Sequence, residues 1–282
     1  MPIRTVGIIG AGTMGSGIAQ VFATAGFDVV LTDVSEAAAA RGVAAVADNL
    51  ERLVARAKIS AEDRAAALRR IAASSRHEEL GPADLLIEAV PEDAELKAGI
   101  FRRIDPIARP EAIVASNTSS VSITRLASAI SHPDRFVGLH FFNPVPVMRL
   151  VEVVRGLRTS DATHDAVEAL VMRLGKTPIT AKSSPGFVVN RILLPMLNEA
   201  LFVLAEGNAE AADIDEGMKL GCNHPIGPLA LADLIGLDVL LSVMRTLHKE
   251  MGDPKYRPAP LLGELVAAGY LGRKSGRGVY RY

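Results

Sequence analysis

Of the six histidines in this 282-residue chain, His140 stands where a proton carrier is useful. It closes the run Phe136-Val-Gly-Leu-His140, which reads as a β-strand, and the following Asn143-Pro-Val-Pro-Val is too rich in proline to extend it. Ligands of open α/β sheets bind beyond the carboxyl ends of the strands. An imidazole at such an end, titrating near neutrality, suits general acid or base work. Glu152 follows on the strand pattern Arg149-Leu-Val-Glu-Val-Val154. So short a connection predicts that this strand doubles back beside its predecessor, bringing the carboxylate close enough to fix the imidazole tautomer and stabilise the imidazolium. A satisfied core histidine and an edge-strand glutamate would give the same pattern, and the residue types leave both readings open. His77, His132, His164 and His248 read as surface or turn histidines, and His224, in Asn223-His-Pro, as a turn former.

A second piece of chemistry lies at the other end of the chain. Val6-Gly-Ile-Ile ends in Gly10-Ala11-Gly12-Thr13-Met14-Gly15, and a helical apolar pattern (Ile18, Ala19, Val21, Phe22) follows at once. In such a strand, glycine turn and helix, Gly10 permits the tight turn, Gly12 admits a pyrophosphate to the backbone, and Gly15 lets helix and strand pack closely. Asp33 ends the next strand, Asp28-Val-Val-Leu-Thr, where its carboxylate accepts from a ribose 2′-hydroxyl and repels a 2′-phosphate. The cofactor expected is therefore NAD rather than NADP. Three further segments carry polar side chains just past predicted strands or across a domain boundary: Glu88-Ala-Val-Pro-Glu92, Ser116-Asn-Thr-Ser-Ser120 and Pro185-Gly-Phe-Val-Val-Asn190.

The elements that must position these groups alternate along the chain. Strands are predicted at Leu85–Glu88, Ala112–Ala115 and Thr177–Ala181, and helices at Asp93–Ile107, Val121–Ala129 and Thr163–Leu174. That alternation predicts an α/β fold with a doubly wound Rossmann-type sheet over residues 1–184. No strand pattern occurs between Asp33 and Asp84, where Glu36–Ala57 and Ala61–Ala73 read as helices with Ser60 as an N-cap. An inserted helical hairpin projecting from the sheet is expected at about residues 36–74. Arg52 and Arg56 stand i, i+4 on it with Lys58 behind, a positive edge for an anionic substrate tail or simply a solvated helix face. From residue 185 to 282 the pattern is helical. Ser184 and Pro185 suit the start of a helix running from about Gly186 to Ala205 through Pro195, apolar nearly all round and so buried on more than one side. Further helices are expected at Asp213–Leu220, closed by Gly221, and at Pro228–Leu234, Asp238–Glu250 and Pro260–Ala268.

Bulk properties narrow the class. A formal charge of −1 with 49% hydrophobic residues speaks against disorder and against a nucleic-acid partner. The single cysteine, Cys222, excludes an intramolecular disulfide and a cysteine-rich metal site, and reads as structural filler in a reducing compartment. The first strand begins too soon after Met1 for a signal peptide, and no apolar run has transmembrane length. A cytoplasmic protein with no membrane partner is expected.

The segments Gly10-x-Gly-x-x-Gly15, Glu88-Ala-Val-Pro-Glu-Asp, Ser116-Asn-Thr-Ser-Ser, His140-Phe-Phe-Asn-Pro-Val-Pro-Val-Met, Leu150-Val-Glu-Val, Pro185-Gly-Phe-Val-Val-Asn-Arg, Gly227-Pro-Leu-Ala-Leu-Ala-Asp and Leu271-Gly-Arg-Lys-Ser-Gly-Arg-Gly-Val-Tyr280 together resemble the 3-hydroxyacyl-CoA dehydrogenase family. Its short bacterial 3-hydroxybutyryl-CoA members are the nearest likeness. The resemblance implies reversible NAD-dependent oxidation of an (S)-3-hydroxyacyl-CoA without a metal. It implies His140 as general base and acid, Glu152 as its orienting partner, and Ser119 and Asn190 as hydrogen-bond partners of the substrate oxygens. It further implies that Asp33, Glu92, Lys97, Asn117, Asn143 and Lys274 line the cofactor site with Gly10, Gly12, Thr13, Met14 and Gly15. Basic residues on the hairpin helix serve coenzyme A in that family, often as lysines, which makes Arg52 and Arg56 candidates for its phosphates. An apolar helical domain joins with the family likeness to suggest a homodimer through residues 185–282. Other readings are an oxidoreductase of the same superfamily acting on a free hydroxy or sugar acid, and a non-catalytic NAD-binding protein.

Overall fold

Strand β1 (Thr5–Ile9) lies inside an eight-stranded sheet with β2 (Asp28–Thr32), β3 (Ile71–Ser74), β4 (Leu85–Glu88), β5 (Ile113–Ser116), β6 (Phe136–Phe141), β7 (Leu150–Arg155) and β8 (Thr177–Lys182), in the order β3-β2-β1-β4-β5-β6-β7-β8. The computed structural model describes residues 3–282, which divide into two units between Ser184 and Pro185. From β3 across to β6 all pairings are parallel; β7 runs antiparallel to β6, and β8 follows β7. The chain leaves β1 toward β2 and β3, then returns to the other side of β1 with β4. The carboxyl ends of β1 and β4 therefore flank the crevice in which such sheets hold their ligands. The central strands are covered on both faces, which is why Val6, Ile8, Leu31, Leu85, Leu86 and Ile87 are all at 0% exposure and read as unbroken apolar runs.

Helices α1 (Thr13–Thr24), α2 (Glu36–Ala55), α3 (Ala61–Arg69), α4 (Ala94–Ile104), α5 (Ile123–Ala127) and α6 (Asp161–Arg173) complete the first unit. The helical hairpin is present, with Ser35 capping α2 and a Ser60/Asp63 capping box opening α3. Its end differs from expectation. Residues 71–74, of which 71–73 read as the tail of a helix, form β3 and pair with β2 in the register Val29↔Ile71 to Thr32↔Ser74. An alanine-rich run has ample helix propensity, but the open edge of β2 offers backbone partners that a helix end lacks. Nor does the hairpin project clear of the sheet. Val46, Leu50 and Ala67 sit in the same core cluster as Ile18 and Phe22, which lays α2 and α3 along α1.

The second unit is built from α7 (Val189–Ala205), α8 (Ala211–Cys222), α9 (Pro228–Ile235), α10 (Leu237–Met251) and α11 (Pro260–Ala267). They share a core that includes Leu197, Leu201, Leu229, Leu240, Met244 and Leu247, and Pro195 lies inside α7. Three expectations are corrected here. Helix α7 opens at Val189 rather than on a Ser184 cap, because Gly186 (φ +73°) and Phe187 (φ +48°) adopt left-handed backbone that no α-helix continues from. Its apolar surface packs into the core through Leu194, Leu197 and Leu201 and, partly buried, through Leu193, Met196 and Phe202, while Ile192 is 68% exposed. Helix α8 passes through Gly221 to Cys222 and ends on Asn223 at φ +56°, asparagine taking the left-handed cap position assigned to glycine. Cys222 is thus exposed at a helix end and fills no core. Among the described residues no helix is long and apolar enough to cross a membrane.

The last residues are tied back by a buried aspartate. Asp233, 1% exposed, accepts from the Val279 and Tyr280 amides (both 2.9 Å) and from the Tyr282 hydroxyl (3.1 Å). Asp215 takes the Tyr280 hydroxyl at 2.8 Å and caps α9 through the Leu229 and Ala230 amides. Asp233→Ala strands these donors and should cost about 1–3 kcal/mol for each buried group left unpaired. The expected result is a lower Tm together with faster proteolytic trimming of the last dozen or so residues; unchanged trimming would show that the tie holds nothing.

Candidate active site

The glycine turn has the stereochemistry its sequence requires. Gly10 has φ +101°, and a Cβ there would stand 2.7 Å from the Ala89 carbonyl oxygen; a Cβ on Gly15 would fall within the Gly10 carbonyl itself, at 1.7 Å. Around Gly12 there is nothing within 4 Å of a Cβ. Helix α1 opens at Gly12 with no side chain capping it and no acidic residue in its first turn. Its N-terminal amides, from Thr13 and Met14 onward, therefore face an anion with no competing carboxylate. These features fit a dinucleotide pyrophosphate. Asp33 Oδ2 accepts from the Ala11 amide and Oδ1 from the Val34 amide, both at 2.7 Å. Each oxygen keeps a lone pair for a ribose hydroxyl, and the carboxylate also fastens the turn to the end of β2.

Beside the turn, the ends of β4 and β5 enclose a charged network. Glu88, Lys97 and Ser116 are at 0% exposure. Lys97 Nζ reaches Glu88 Oε1 at 2.7 Å, Glu92 Oε2 at 3.2 Å and the Val90 carbonyl at 3.2 Å. Glu88 also accepts from the Val90 amide (2.7 Å) and the Ser116 hydroxyl (2.6 Å). Glu92 Oε1 gathers the Thr118 hydroxyl (2.5 Å), the Ser119 amide and hydroxyl (2.8 and 3.1 Å) and the Ser120 amide and hydroxyl (both 2.9 Å). Burial opposes the charge on Glu92. The Lys97 ammonium and the Thr118, Ser119 and Ser120 donors outweigh it, holding the carboxyl below the ordinary glutamate value. Lys97, expected to line the cofactor site, thus lies beneath the loop with its ammonium turned to Glu88, Glu92 and Val90, while Ser119 is half-buried on the loop that Glu92 secures.

His140 and Glu152 face each other directly across the antiparallel β6–β7 ladder. Glu152 Oε2 lies 2.6 Å from His140 Nδ1. The imidazole is 6% exposed, the carboxylate 0%, and the Phe142 ring tilts against the histidine with centroids 4.4 Å apart. Asn117 Oδ1 accepts the Phe141 amide at 2.9 Å, tying the β5 end to the strand that carries His140. Asn143 is exposed on the loop that follows. Arg52 is exposed on α2 and donates to Asn49 at 2.8 Å, and Arg56 is exposed at the helix C-cap. In the second unit Asn190 is half-buried in the first turn of α7, and Lys274 pairs with Asp238 at 2.6 Å. His164 departs from its surface reading. It is 8% exposed and bonds Thr180 Oγ1 through Nε2 at 2.8 Å.

Sequence reasoning gave no role to Glu88, Ser116, Thr118 or Ser120. One signal was legible: Lys97 occupies the stripe of α4 otherwise filled by Ile100, Phe101 and Ile104, and a lysine on an apolar stripe needs a buried carboxylate. Glu88, ending the otherwise apolar Leu85-Leu-Ile, is that partner.

Residues 5–184 match the NAD binding domain of 3-hydroxyacyl-CoA dehydrogenase, and residues 186–282 match the C-terminal domain of the same family. The chain is 52% identical to a 3-hydroxybutyryl-CoA dehydrogenase of Bradyrhizobium diazoefficiens, over 99% of this chain and 96% of the relative. To the 3-hydroxybutyryl-CoA dehydrogenase of Clostridioides difficile it is 48% identical over 98% of each. A crystal structure of (S)-3-hydroxybutyryl-CoA dehydrogenase from Ralstonia eutropha superposes with a TM-score of 0.97 at 62% identity, covering 100% of this chain and 99% of that one.

The Glu92 network makes a pH-dependent contribution to stability. A carboxyl whose folded pKa is depressed stabilises the fold above its unfolded value of about 4.3, and that contribution fades as the pH falls through the folded pKa. Glu92→Gln should therefore melt below the unmodified protein at pH 7, with the gap closing as the pH falls below about 4. A gap constant with pH would remove the charge on Glu92 from the account.

Proposed function

The chain belongs to the 3-hydroxyacyl-CoA dehydrogenase family, and from that premise we propose how its residues carry out NAD-dependent oxidation of a 3-hydroxyacyl-CoA to the 3-oxoacyl-CoA, with a short-chain substrate such as (S)-3-hydroxybutyryl-CoA. The observation that carries the mechanism is the His140–Glu152 contact at 2.6 Å. With Nδ1 held by Glu152, Nε2 is the nitrogen that takes the proton of the substrate's 3-hydroxyl. NAD, when bound, receives the hydride that leaves C3. The buried carboxylate of Glu152 stabilises the imidazolium as it forms, and in the reductive direction His140 returns the proton to the 3-oxo oxygen.

The remaining roles rest on family likeness and on placement. Ser119 and Asn190 hydrogen-bond the substrate oxygens, and Asn143 lines the cofactor site. Gly10, Gly12, Thr13, Met14 and Gly15 hold the pyrophosphate, Asp33 takes the adenosine ribose, and Glu92, Asn117 and Lys274 complete the cofactor site. Lys97 acts through Glu92, which the network beneath the loop supports. Arg52 and Arg56, exposed at the end of α2, meet the coenzyme A phosphates. A homodimer through residues 185–282 belongs to the same reading, supported by exposed Ile192, Leu220, Leu234 and Val239 on that unit. So does a cytoplasmic location, which a lone cysteine suits.

Oxidation of NADH by acetoacetyl-CoA, without oxidation by free acetoacetate, is the expected result; activity on the free acid alone would overturn the thioester reading. His140→Gln should lower kcat by roughly 10²- to 10⁴-fold with NADH affinity little changed. Turnover near that of the unmodified protein would remove His140 from the reaction. Replacing Arg52 and Arg56 together by alanine should raise KM for acetoacetyl-CoA at low salt, and the difference should shrink as ionic strength rises. A KM that does not move would return these arginines to an ordinary solvated helix face.

A further inference from the structure

Eight residues, 142–149, join the strand that carries His140 to the strand that carries Glu152. Pro144 and Pro146 have no N–H to give, and the amides of Val147 and Met148 both turn to the Pro144 carbonyl, at 2.9 and 3.0 Å. The loop therefore cannot zip itself into a hairpin, and it is held from outside at two places. On one side Val145, 2% exposed, packs against α1 at Gly17, where a Cβ would come within 2.9 Å of the Val145 Cβ. On the other, the ammonium of Lys176 donates to the Val145 carbonyl at 2.6 Å and to the Met148 carbonyl at 2.7 Å. Lys176 stands just before β8, whose first residue, Thr177, donates its amide to Arg149 at the end of the loop.

This lysine is unusual in its setting. It is 9% exposed, its hydrogen bonds go to main-chain carbonyls, and burial pushes the ammonium below the usual lysine value. A desolvated cation without a carboxylate is costly unless its donors are well used. Here they satisfy two carbonyls that a proline-rich loop leaves over, and a tetrahedral ammonium on a long stem reaches both at once.

We propose that Lys176 is a positioning residue for the dehydrogenase reaction: by clamping the carbonyls of Val145 and Met148 it fixes the loop between β6 and β7, and so fixes where the His140–Glu152 pair meets the group it deprotonates. The proposal rests on the dehydrogenase reading above. It also gives Gly17 a purpose, since only a glycine lets Val145 seat on α1 while the lysine holds the loop from the far side. Removal of the clamp leaves the dyad's own contact in place and loosens its aim. Misplacement by a fraction of an ångström slows the chemical step while leaving the glycine turn and its ligand untouched.

The test uses the full-length protein with Lys176→Met, and with Lys176→Gln in case the first does not fold. Reduction of acetoacetyl-CoA is followed with NADH and with NADH deuterated at the transferred position, NADH affinity is measured by fluorescence titration, and folding by circular dichroism. The expected variant is folded, binds NADH within about twofold of the unmodified protein, and has kcat lowered by about ten- to a hundredfold. Its primary deuterium isotope effect on kcat should exceed that of the unmodified protein, because hydride transfer has become slower relative to the other steps. A merely structural lysine would reduce the number of active molecules and leave the isotope effect where it was, which would overturn the proposal, as would failure of both variants to fold. Were the unmodified protein inactive on acetoacetyl-CoA, the dehydrogenase reading would fall and the proposal with it. An active unmodified protein with an indifferent Lys176→Met overturns the clamp alone.

Discussion

The His140–Glu152 contact depends on strand register. His140 and Glu152 are neighbours only because β6 and β7 pair in the alignment Leu139↔Val153, His140↔Glu152, Phe141↔Val151. A slip of one residue would turn every side chain of one strand to the opposite face. Such a slip is opposed by the residues either side of the dyad. Leu139, Phe141, Val151 and Val153 all belong to the large core cluster on one face of the sheet, so burying them obliges the histidine and glutamate to point the other way. Gly138 adds a lock on that second face, since a Cβ there would meet the Ile123 and Val154 side chains at 2.8 Å. Ordinary hydrophobic burial thus sets the geometry of the His140–Glu152 contact.

The glycine turn and the His140–Glu152 pair are joined by main-chain and amide bonds running along the carboxyl edge of the sheet. Ala89 donates to Ile9 at 2.7 Å, Asn117 donates to Glu88 at 2.8 Å, and the Asn117 side chain receives Phe141. The buried Glu88–Lys97 pair stands in the middle of this run. Such a pair is weak evidence for net stability, because desolvating two charges consumes most of their attraction. Its value here is directional. It brings Glu92 to one place, and Glu92 in turn holds the backbone and hydroxyls of Ser119 and Ser120.

The glycine turn, Asp33, the parallel alternation and the antiparallel return of β7 were legible in the sequence because each rests on local pattern: apolar period, glycine spacing, a connection too short for a crossover. What escaped it was decided by partners distant in the chain. β3 was hidden inside an alanine-rich run, since only the free edge of β2 makes a strand of Ile71–Ser74. The start of α7 was misplaced because Gly186 and Phe187 take left-handed backbone, and Phe187 is a residue for which sequence gives no such warning. Glu88 and Ser116 end their strands, and it is the inward turn of Lys97 onto Glu88, whose other oxygen takes the Ser116 hydroxyl, that gives them a role. His164, one of several unremarkable histidines, owes its burial to a contact with Thr180, sixteen residues away on β8.

The bond from Ala11 to the Asp33 carboxylate has a consequence for how cofactor preference can change over evolutionary time. The carboxylate proposed to read the ribose is also the fastening of the turn proposed to hold the pyrophosphate. A lineage drifting toward a phosphorylated cofactor must give up this carboxylate, and with the same substitution it loosens the Gly10–Gly15 loop on which either cofactor depends. The first step is therefore downhill for both ligands until another group takes over the Ala11 amide. On that proposed role, such a path needs paired changes, one at the tip of β2 and one beside the turn.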